Sequence, residues 1–241
     1  MKRQTILAAF LSVCMLSIAQ SDGSYSMYVY LSDGNVDTYS VSDVDSVVFV
    51  DATEDIVSSG TTHINGYAAV DLGLSVLWAT CNIGADSPED YGDYFAWGEI
   101  ETKDSYTRDN SVTYYDGEID DIAGNVEYDA ATAIWGDSWR LPTYEECTEL
   151  VDSCTWEWTT QNDVDGYLVT GFTGNSIFLP AVGDRSSTSN AYEGWFGSYW
   201  SSTPYTNDTN KAYAINFEID NIYVDDDSRY RGHAVRPVSD Y

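Results

Sequence analysis

Few residues of this chain are of the types that catalysis requires. The histidines are His63 and His233 alone, so a Ser-His-Asp site has little choice of a general base. Residues 231–235 (Arg-Gly-His-Ala-Val) are typical of a strand-edge histidine that is satisfied by hydrogen bonds. With 40 acidic residues, some carboxylates will always lie close together, so a carboxylate pair is weak evidence for a glycosidase. The sequence also lacks a phosphate-binding glycine loop and a dinucleotide fingerprint, and it predicts no catalytic residue and no cofactor.

Two acidic segments have ligand types that Ca²⁺ accepts. Residues 163–166 (Asp-Val-Asp-Gly) resemble part of a calcium loop but lack its third acidic position and its distal glutamate, so a β-turn is expected there. Residues 225–227 (Asp-Asp-Asp) lie close to Arg229 and Arg231, which indicates a solvated, partly ion-paired loop. The sequence contains no CxxC pair and no Cys/His cluster, so a zinc site is not expected. The sequence therefore predicts no metal site.

The composition limits the classes of partner. The formal charge of the 241-residue chain is -30, and such a surface repels phosphate backbones and anionic membranes. We therefore expect no nucleic-acid partner. The hydrophobic content of 43% and the 8 tryptophans and 20 tyrosines are typical of a globular protein.

The N-terminal residues predict the compartment. Lys2 and Arg3 precede an apolar run over 5–18 that is too short for a good membrane span. Ser17 and Ala19 are small residues at the positions that a signal peptidase reads, so residues 1–19 are predicted to be a signal peptide. A lipoprotein alternative would use Cys14, but the bulky residue before it weakens that interpretation. We expect a protein that is secreted or displayed on the cell surface, with no membrane span in its mature form.

The remaining chain divides into three parts: a small β module over 20–50, a polar linker over 51–62 and a larger domain over 63–241. Alternating β-branched residues predict strands in the module near 27–31, 36–41 and 43–50. Pro142, the possible cap Thr143 and two acidic residues in the first turn predict a helix over 143–153, and a second, shorter helix is expected over 129–135. Short alternating segments predict strands at 167–170, 176–179, 199–202, 212–217 and 222–224. The fold class is α+β, and the larger domain is expected to fold alone.

Several motifs occur in a specific order along the larger domain. They are residues 70–85, 91–99 (Tyr-Gly-Asp-Tyr-Phe-Ala-Trp-Gly-Glu), 139–143 (Trp-Arg-Leu-Pro-Thr), 176–181, 199–203 and 232–238. Over 64–238 the chain resembles the Fibrobacter major-paralogous-domain family, which is common in exported proteins of Bacteroidetes. The resemblance implies a C-type-lectin-like fold of the formylglycine-generating-enzyme branch, preceded here by the small β module. It does not imply that enzyme's activity, because no cysteine follows Cys154. The calcium-and-sugar motifs of animal lectins are absent too.

Residues 199–238 also resemble the variable segment in target proteins of diversity-generating retroelements. The resemblance implies a fixed scaffold at Trp200, Ser201, Ser202, Ala212, Phe217, Gly232, Val235, Arg236 and Pro237. It implies ligand-binding positions at Tyr205, Asn207, Thr209, Asn210, Ala214, Asp220, Tyr223, Asp225, Asp227, Ser228, Tyr230 and Arg231. Tyrosine offers a large contact at low entropic cost, and Asn, Asp, Ser and Thr adapt their hydrogen bonds, as in antibody paratopes.

These observations favour a binding protein over an enzyme. We expect it to contact an unknown macromolecular ligand, protein or glycan, outside the cell. Two alternatives stay open: a carbohydrate-binding or carbohydrate-active protein in which Trp195, Tyr199 or Trp200 stacks on sugars, and a structural surface or fimbria-like component. Trp200, Phe217 and Val235 should be buried, and eight of the binding positions should be exposed on one face: Tyr205, Asn207, Asn210, Ala214, Tyr223, Asp225, Asp227 and Tyr230. Cys81 and Cys154, which lie within the 64–238 segment that resembles the family, are a candidate disulfide.

Overall fold

The computed structural model describes residues 4–10, 15–21, 24–30, 36–40, 44–51 and 61–241. The chain forms two compact units, Met1–Ser58 and Ser59–Tyr241. Most of the predicted linker, residues 52–60, lies outside the described residues. The second unit begins four residues before the predicted domain boundary at residue 63.

The described residues of the first unit form β-strands. They are β1 Gln4–Phe10, β2 Met15–Ser21, β3 Ser24–Tyr30, β4 Val36–Ser40 and β5 Val44–Asp51. β1 pairs with β5 in parallel, and β2, β3 and β4 form an antiparallel sheet in that order. The strands that the sequence predicts near 27–31, 36–41 and 43–50 are present as β3, β4 and β5. β1 and part of β2 lie within the predicted signal peptide, whose cleavage stays a prediction.

The second unit is mostly β, with short strands in several sheets. They are β6 Thr61–Ile64, β7 Tyr67–Val70, β8 Leu77–Ala79, β9 Tyr94–Phe95, β10 Thr155–Gln161, β11 Val164–Thr170, β12 Ser176–Pro180, β13 Asp184–Ser186, β14 Ser189–Ala191, β15 Phe196–Pro204, β16 Lys211–Glu218, β17 Asn221–Ser228, β18 His233–Ala234 and β19 Val238–Ser239. The sheet orders are β17-β16-β15-β18-β9, β19-β8-β7-β6, β10-β11-β12 and β13-β14. Pairing is antiparallel except between β15 and β18.

Two short helices accompany these sheets, α1 Ala130–Trp135 and α2 Tyr144–Ser153. Both helix predictions are confirmed. Asp129 caps α1 by accepting two backbone N–H groups, and Thr143 and Glu146 form a reciprocal capping box at the start of α2. A 3₁₀ turn covers Arg108–Asn110. Within the described residues, neither α-helix is long and apolar enough to cross a membrane.

The core lies on both faces of the five-stranded sheet, because side chains alternate along each strand. Phe217 and Tyr199 point into one cluster, whereas Trp200 points into the other. Trp200, Phe217 and Val235 are buried, as the sequence predicts. Burying such a side chain contributes about 1.5–3 kcal/mol. Gly197 is required at its position because a Cβ there would lie 2.1 Å from the Phe217 ring.

Arg236 fixes the end of the chain to the rest of the scaffold. Its buried guanidinium donates to Asn82 Oδ1 at 2.8 Å and to the carbonyl oxygens of Ala79, Thr80 and Phe178 at 3.1, 2.7 and 2.9 Å. Four acceptors from two separate segments compensate for the burial of this charge. The interaction joins the residues around β8 to β12 and so stabilises the sheets that carry the site described next.

The turn expected over 163–166 lies elsewhere. Asn162 and Asp163 connect β10 to β11 and have left-handed φ values of 48° and 65°. Asn and Asp adopt this conformation more readily than other non-glycine residues, which explains the position of the turn. Gly166 is paired within β11 instead.

Candidate ligand-binding site

A cavity lined by exposed apolar side chains lies at one end of the five-stranded sheet. A groove of about 470 Å³ is lined by Asp184, Tyr192, Trp195, Phe196, Glu218, Ile219, Asp227 and Arg231, and is called here the Trp195 groove. Trp195, Tyr192 and Ile219 are 77%, 70% and 59% exposed. Large apolar side chains rarely cluster in water without a function, so this groove is the strongest candidate site.

Two tight turns present these apolar side chains. Tyr192 has a left-handed φ of 63°, and its carbonyl accepts the N–H groups of Trp195 and Phe196 at 3.0 Å each. This turn joins β14 to β15 and leaves the indole projecting into solvent. Ile219 and Asp220 form the connection of the β16–β17 hairpin, and Asp220 also has a left-handed φ, 66°. Asp adopts this conformation readily in a hairpin turn, whereas at a bulky residue such as Tyr192 it is often associated with a functional site.

The floor of the groove is charged. Arg231 forms an ion pair with the buried Asp184, and its Nε lies 3.3 Å from Asp227 Oδ1. His233 Nε2 lies 3.2 Å from the other carboxylate oxygen of Asp227. Burial by itself would raise the pKa of Asp227, but the nearby imidazole of His233 and the charge of Arg231 hold it below its usual value. The floor is therefore held by several charged groups at once.

Behind the floor, Ser198, His233 and Asp227 are arranged in one line. Ser198 Oγ lies 2.8 Å from His233 Nδ1 and donates to Asn216 Oδ1 at 2.8 Å, while the imidazole stacks on Trp200. In serine hydrolases the serine contacts Nε2 of the histidine and the carboxylate contacts Nδ1. Here the serine contacts Nδ1 and the carboxylate contacts Nε2. Ser198 and His233 are also fully buried, so a substrate in the groove does not reach the hydroxyl. We infer that Ser198 and His233 position the carboxylate of Asp227 and take no part in catalysis.

Comparison with known protein families gives one match. Residues 68–239 match the profile of the Lcl C-terminal domain. The chain belongs to this family. Neither the curated proteins nor the solved structures include a significant match to the chain.

The positions predicted to bind ligand differ in exposure in this Lcl C-terminal domain. Asn207, Asp220 and Asp225 are exposed, whereas Ala214 is buried. The others are partly exposed: Tyr205, Thr209, Asn210, Tyr223, Asp227, Ser228, Tyr230 and Arg231. The predicted exposure is therefore wrong for Ala214.

Ala214 is buried because β16 is an inner strand of the sheet. It pairs with Trp200 on β15 and with Asp225 on β17, and paired residues share a face. The prediction of a common face is thus correct for Ala214, Tyr223, Asp225 and Asp227. At Ala214, however, that face is covered by the core cluster around Trp200.

Tyr205, Thr209 and Tyr230 lie away from the Trp195 groove. Tyr205 contacts Tyr213, which alternates with Ala214 and so lies on the other face of β16. Together with Thr209 it lines a second cavity, of about 400 Å³, beside the acidic loop 118–121. Tyr230 packs edge-to-face against Tyr114. A single binding face that includes Tyr205 is therefore contradicted.

Asp225, Asp226 and Asp227 belong to β17, so the expected loop is wrong. The expected ion pairing is present, because Asp226 pairs with Lys211 and Asp227 with Arg231. In the part of the chain that the structure describes, no group of three or more His, Cys, Asp or Glu side chains is placed to hold a metal ion.

Of the residues that line the groove, the predicted binding positions include Asp227 and Arg231, and the sugar-binding alternative includes Trp195. The sequence reasoning missed the others, which are Asp184, Tyr192, Phe196, Glu218 and Ile219. An apolar residue at the tip of a two-residue hairpin was the available signal for Ile219, because such a tip is exposed. No local signal indicates Asp184, which reaches the groove only through its ion pair with Arg231.

The candidate disulfide is not formed. Cys81, Cys147 and Cys154 are free thiols. Cys81 Sγ lies 3.5 Å from Thr80 Oγ1 just after β8, whereas Cys154 ends α2 and packs against a core cluster. Burial, together with the charge of Glu149, raises the pKa of Cys154 to about 11, so this sulfur is a thiol at neutral pH.

Proposed function

We propose that the Lcl C-terminal domain of this chain is a ligand-binding module of an exported or surface-displayed protein, and that it is not an enzyme. The observation that carries this proposal is the Trp195 groove. Keeping Trp195, Tyr192 and Ile219 in water is unfavourable by about 25 cal/mol per Å² of apolar surface. A partner that covers these side chains recovers that free energy.

The rigidity of the groove supports the same proposal. Its floor is held by the contacts of Arg231 and His233 with Asp227, and its walls begin and end strands of one sheet. A site that is already ordered loses less entropy when it binds. The hydroxyl of Ser198 contacts His233 next to the floor, but Ser198 is buried and cannot reach a ligand. This favours binding over acyl transfer.

The proposal also covers the fold of the domain and the origin of its variable segment. We propose a C-type-lectin-like fold whose segment 199–238 is diversified by a retroelement. Its implied scaffold residues Trp200, Phe217 and Arg236 are buried, whereas most of the implied variable positions retain solvent contact. Ala214 is removed from the variable set, because a buried inner-strand position tolerates few side chains. A near-copy of the 199–238 coding segment beside a reverse transcriptase gene is the expected result of inspecting the neighbouring DNA, and its absence would refute this part.

The ligand is proposed to be macromolecular and outside the cell. A glycan is the second candidate, because the exposed indole of Trp195 lies beside carboxylates that accept hydroxyl hydrogen bonds. Peptide ligands and glycans can be separated by experiment.

A random-peptide display library and a glycan array, each screened with the intact protein, test the proposal. Ligands of the groove should lose most of their affinity for Trp195→Ala but bind Phe172→Ala normally. Phe172 is the matched control, because it is 76% exposed in the turn between β11 and β12. If every ligand binds Trp195→Ala as well as the unaltered protein, the groove is not the binding site.

A further inference from the structure

We infer that the Trp195 groove binds a lysine or arginine side chain of an exposed segment of another protein. This inference rests on the proposed binding function and names its ligand class. The groove combines exposed aromatic rings with an excess of carboxylates, and a long basic side chain has an apolar stem and a cationic end that match both.

The charge of the groove favours a cation. Its lining contains three carboxylates, those of Asp184, Glu218 and Asp227, but only one guanidinium, that of Arg231. The positive charge of Arg231 is engaged by Asp184 and Asp227. Glu218 is exposed, and among the described residues its carboxylate has no ion-pair or hydrogen-bond partner. The lining therefore has two more carboxylates than guanidinium groups, and Glu218 is the accessible, unpaired carboxylate.

The neighbouring strand adds to this negative potential. Burial raises the pKa of the Tyr223 hydroxyl, and the charges of Glu218, Asp225 and Asp227 raise it further. The negative potentials of these three carboxylates therefore add together at the Tyr223 hydroxyl, beside the groove. The whole chain has a charge of -30, so long-range attraction also increases the rate at which a basic partner arrives.

The aromatic wall provides the second part of the match. A cation over an indole or phenol ring is attracted by the electron-rich face of the ring. Trp195 and Tyr192 offer such rings, and Ile219 can cover the aliphatic stem. A neutral sugar needs donors as well as acceptors, and here two nitrogens of Arg231, the strongest donor in the lining, already contact carboxylates. The lining thus fits a basic side chain better than a sugar.

Three acetylated pentapeptides test the inference, each Gly-X-Gly-X-Gly-amide with X as lysine, norleucine or glutamate. Binding to the intact protein is followed by the indole N–H signal of Trp195 in NMR spectra, assigned with Trp195→Phe. The lysine peptide should bind, and more weakly as salt is raised, whereas the other two should not. Glu218→Gln should weaken the affinity for the lysine peptide by about two- to fivefold, as expected for the loss of an exposed ion pair.

Glu157→Gln is the matched control, because it removes the same charge from an exposed position of β10 in another sheet. It should leave the affinity unchanged, and Ile219→Lys should block binding by placing an ammonium at the rim.

Two results would overturn the basic-ligand inference and leave the binding function intact. One is that the norleucine peptide binds as tightly as the lysine peptide. The other is that maltotetraose, and not the lysine peptide, shifts the Trp195 signal independently of salt. If no peptide or sugar moves the Trp195 signal, and the library and array give no ligand sensitive to Trp195→Ala, the proposed function fails as well.

Discussion

Asp129 is the most heavily hydrogen-bonded buried carboxylate among the described residues. Its Oδ1 accepts the N–H groups of Ala131 and Thr132 at 2.9 and 3.2 Å, and its Oδ2 those of Gly124 and Leu141 at 2.8 and 2.9 Å. Burial nevertheless raises the pKa of this carboxyl group, despite these amides. One side chain thus joins the start of α1 to two loops.

We expect Asp129→Ala to lower the free energy of unfolding by about 2 kcal/mol or more, because it removes a helix cap and leaves buried donors without an acceptor. Urea unfolding followed by tryptophan fluorescence measures this. Asp120→Ala, at an exposed loop position, is the control and should cost less than about 0.5 kcal/mol. Similar losses for both variants would show that the four bonds contribute little.

The ion-paired Asp227 makes stability depend on pH. Its pKa is lower in the folded protein than its ordinary value of about 3.9, so ionisation of this group stabilises the fold above that value. The stabilisation is lost as the pH falls below about 4 and through the folded-state pKa.

Asp227→Asn should therefore reduce the free energy of unfolding by about 1–3 kcal/mol at pH 6.5, since it removes a charged hydrogen-bond acceptor. The difference from the unaltered protein should shrink when urea unfolding is repeated at pH 3 to 4. A difference that is independent of pH would contradict the assignment.

At the scale of elements, β17 is one of the two edge strands of the five-stranded sheet in the described part of the chain. The N–H of Asp226 donates to Asp225 Oδ1 at 2.8 Å, and the N–H of Ser228 donates to Asp227 Oδ1 at 2.6 Å. The aspartates thus use backbone donors that could otherwise pair with another strand, and their charge repels one.

Asp225→Val should promote self-association, because it frees the Asp226 N–H and adds β-branched apolar surface to the edge. Light scattering after size-exclusion chromatography, over a range of concentrations, detects the dimer. Asp120→Val makes the same change in a loop and should remain monomeric. A monomeric Asp225→Val variant at high concentration would show that the edge is protected in another way.

At the scale of the whole molecule, the second unit contains both core clusters within 64–238. Its first strand, β6, pairs with β7, and the Ile64 carbonyl accepts the Trp139 Nε1–H at 3.0 Å. The fragment 59–241 should therefore unfold in one cooperative transition, with the near-ultraviolet dichroism of ordered tryptophans.

The fragment 66–241, which lacks β6, should be less stable than 59–241 by about 1–3 kcal/mol, because the Trp139 indole N–H and one edge of β7 lose their partners. Urea unfolding of the two fragments measures the difference. A molten 59–241 fragment would show that the first unit is needed for folding.

The local elements of this protein were predictable from sequence. Thr143 and Asp129 begin both helices, because a side-chain oxygen next to free backbone donors is a local interaction. The burial of Trp200, Phe217 and Val235 followed from their size, their apolar character and the motifs in which they lie. The pairing of Asp227 with Arg231 followed from their closeness in the chain.

The binding groove was decided by the tertiary structure. Its side chains come from β13, the turn before β15, the β16–β17 hairpin and the segment after β17, and only the pairing of distant strands brings them together. Alternation separates the two faces of a strand but does not tell which part of a face another segment covers. For that reason Ala214 is buried, Tyr205 lies on the other face from Tyr223, and Trp195 remains in solvent.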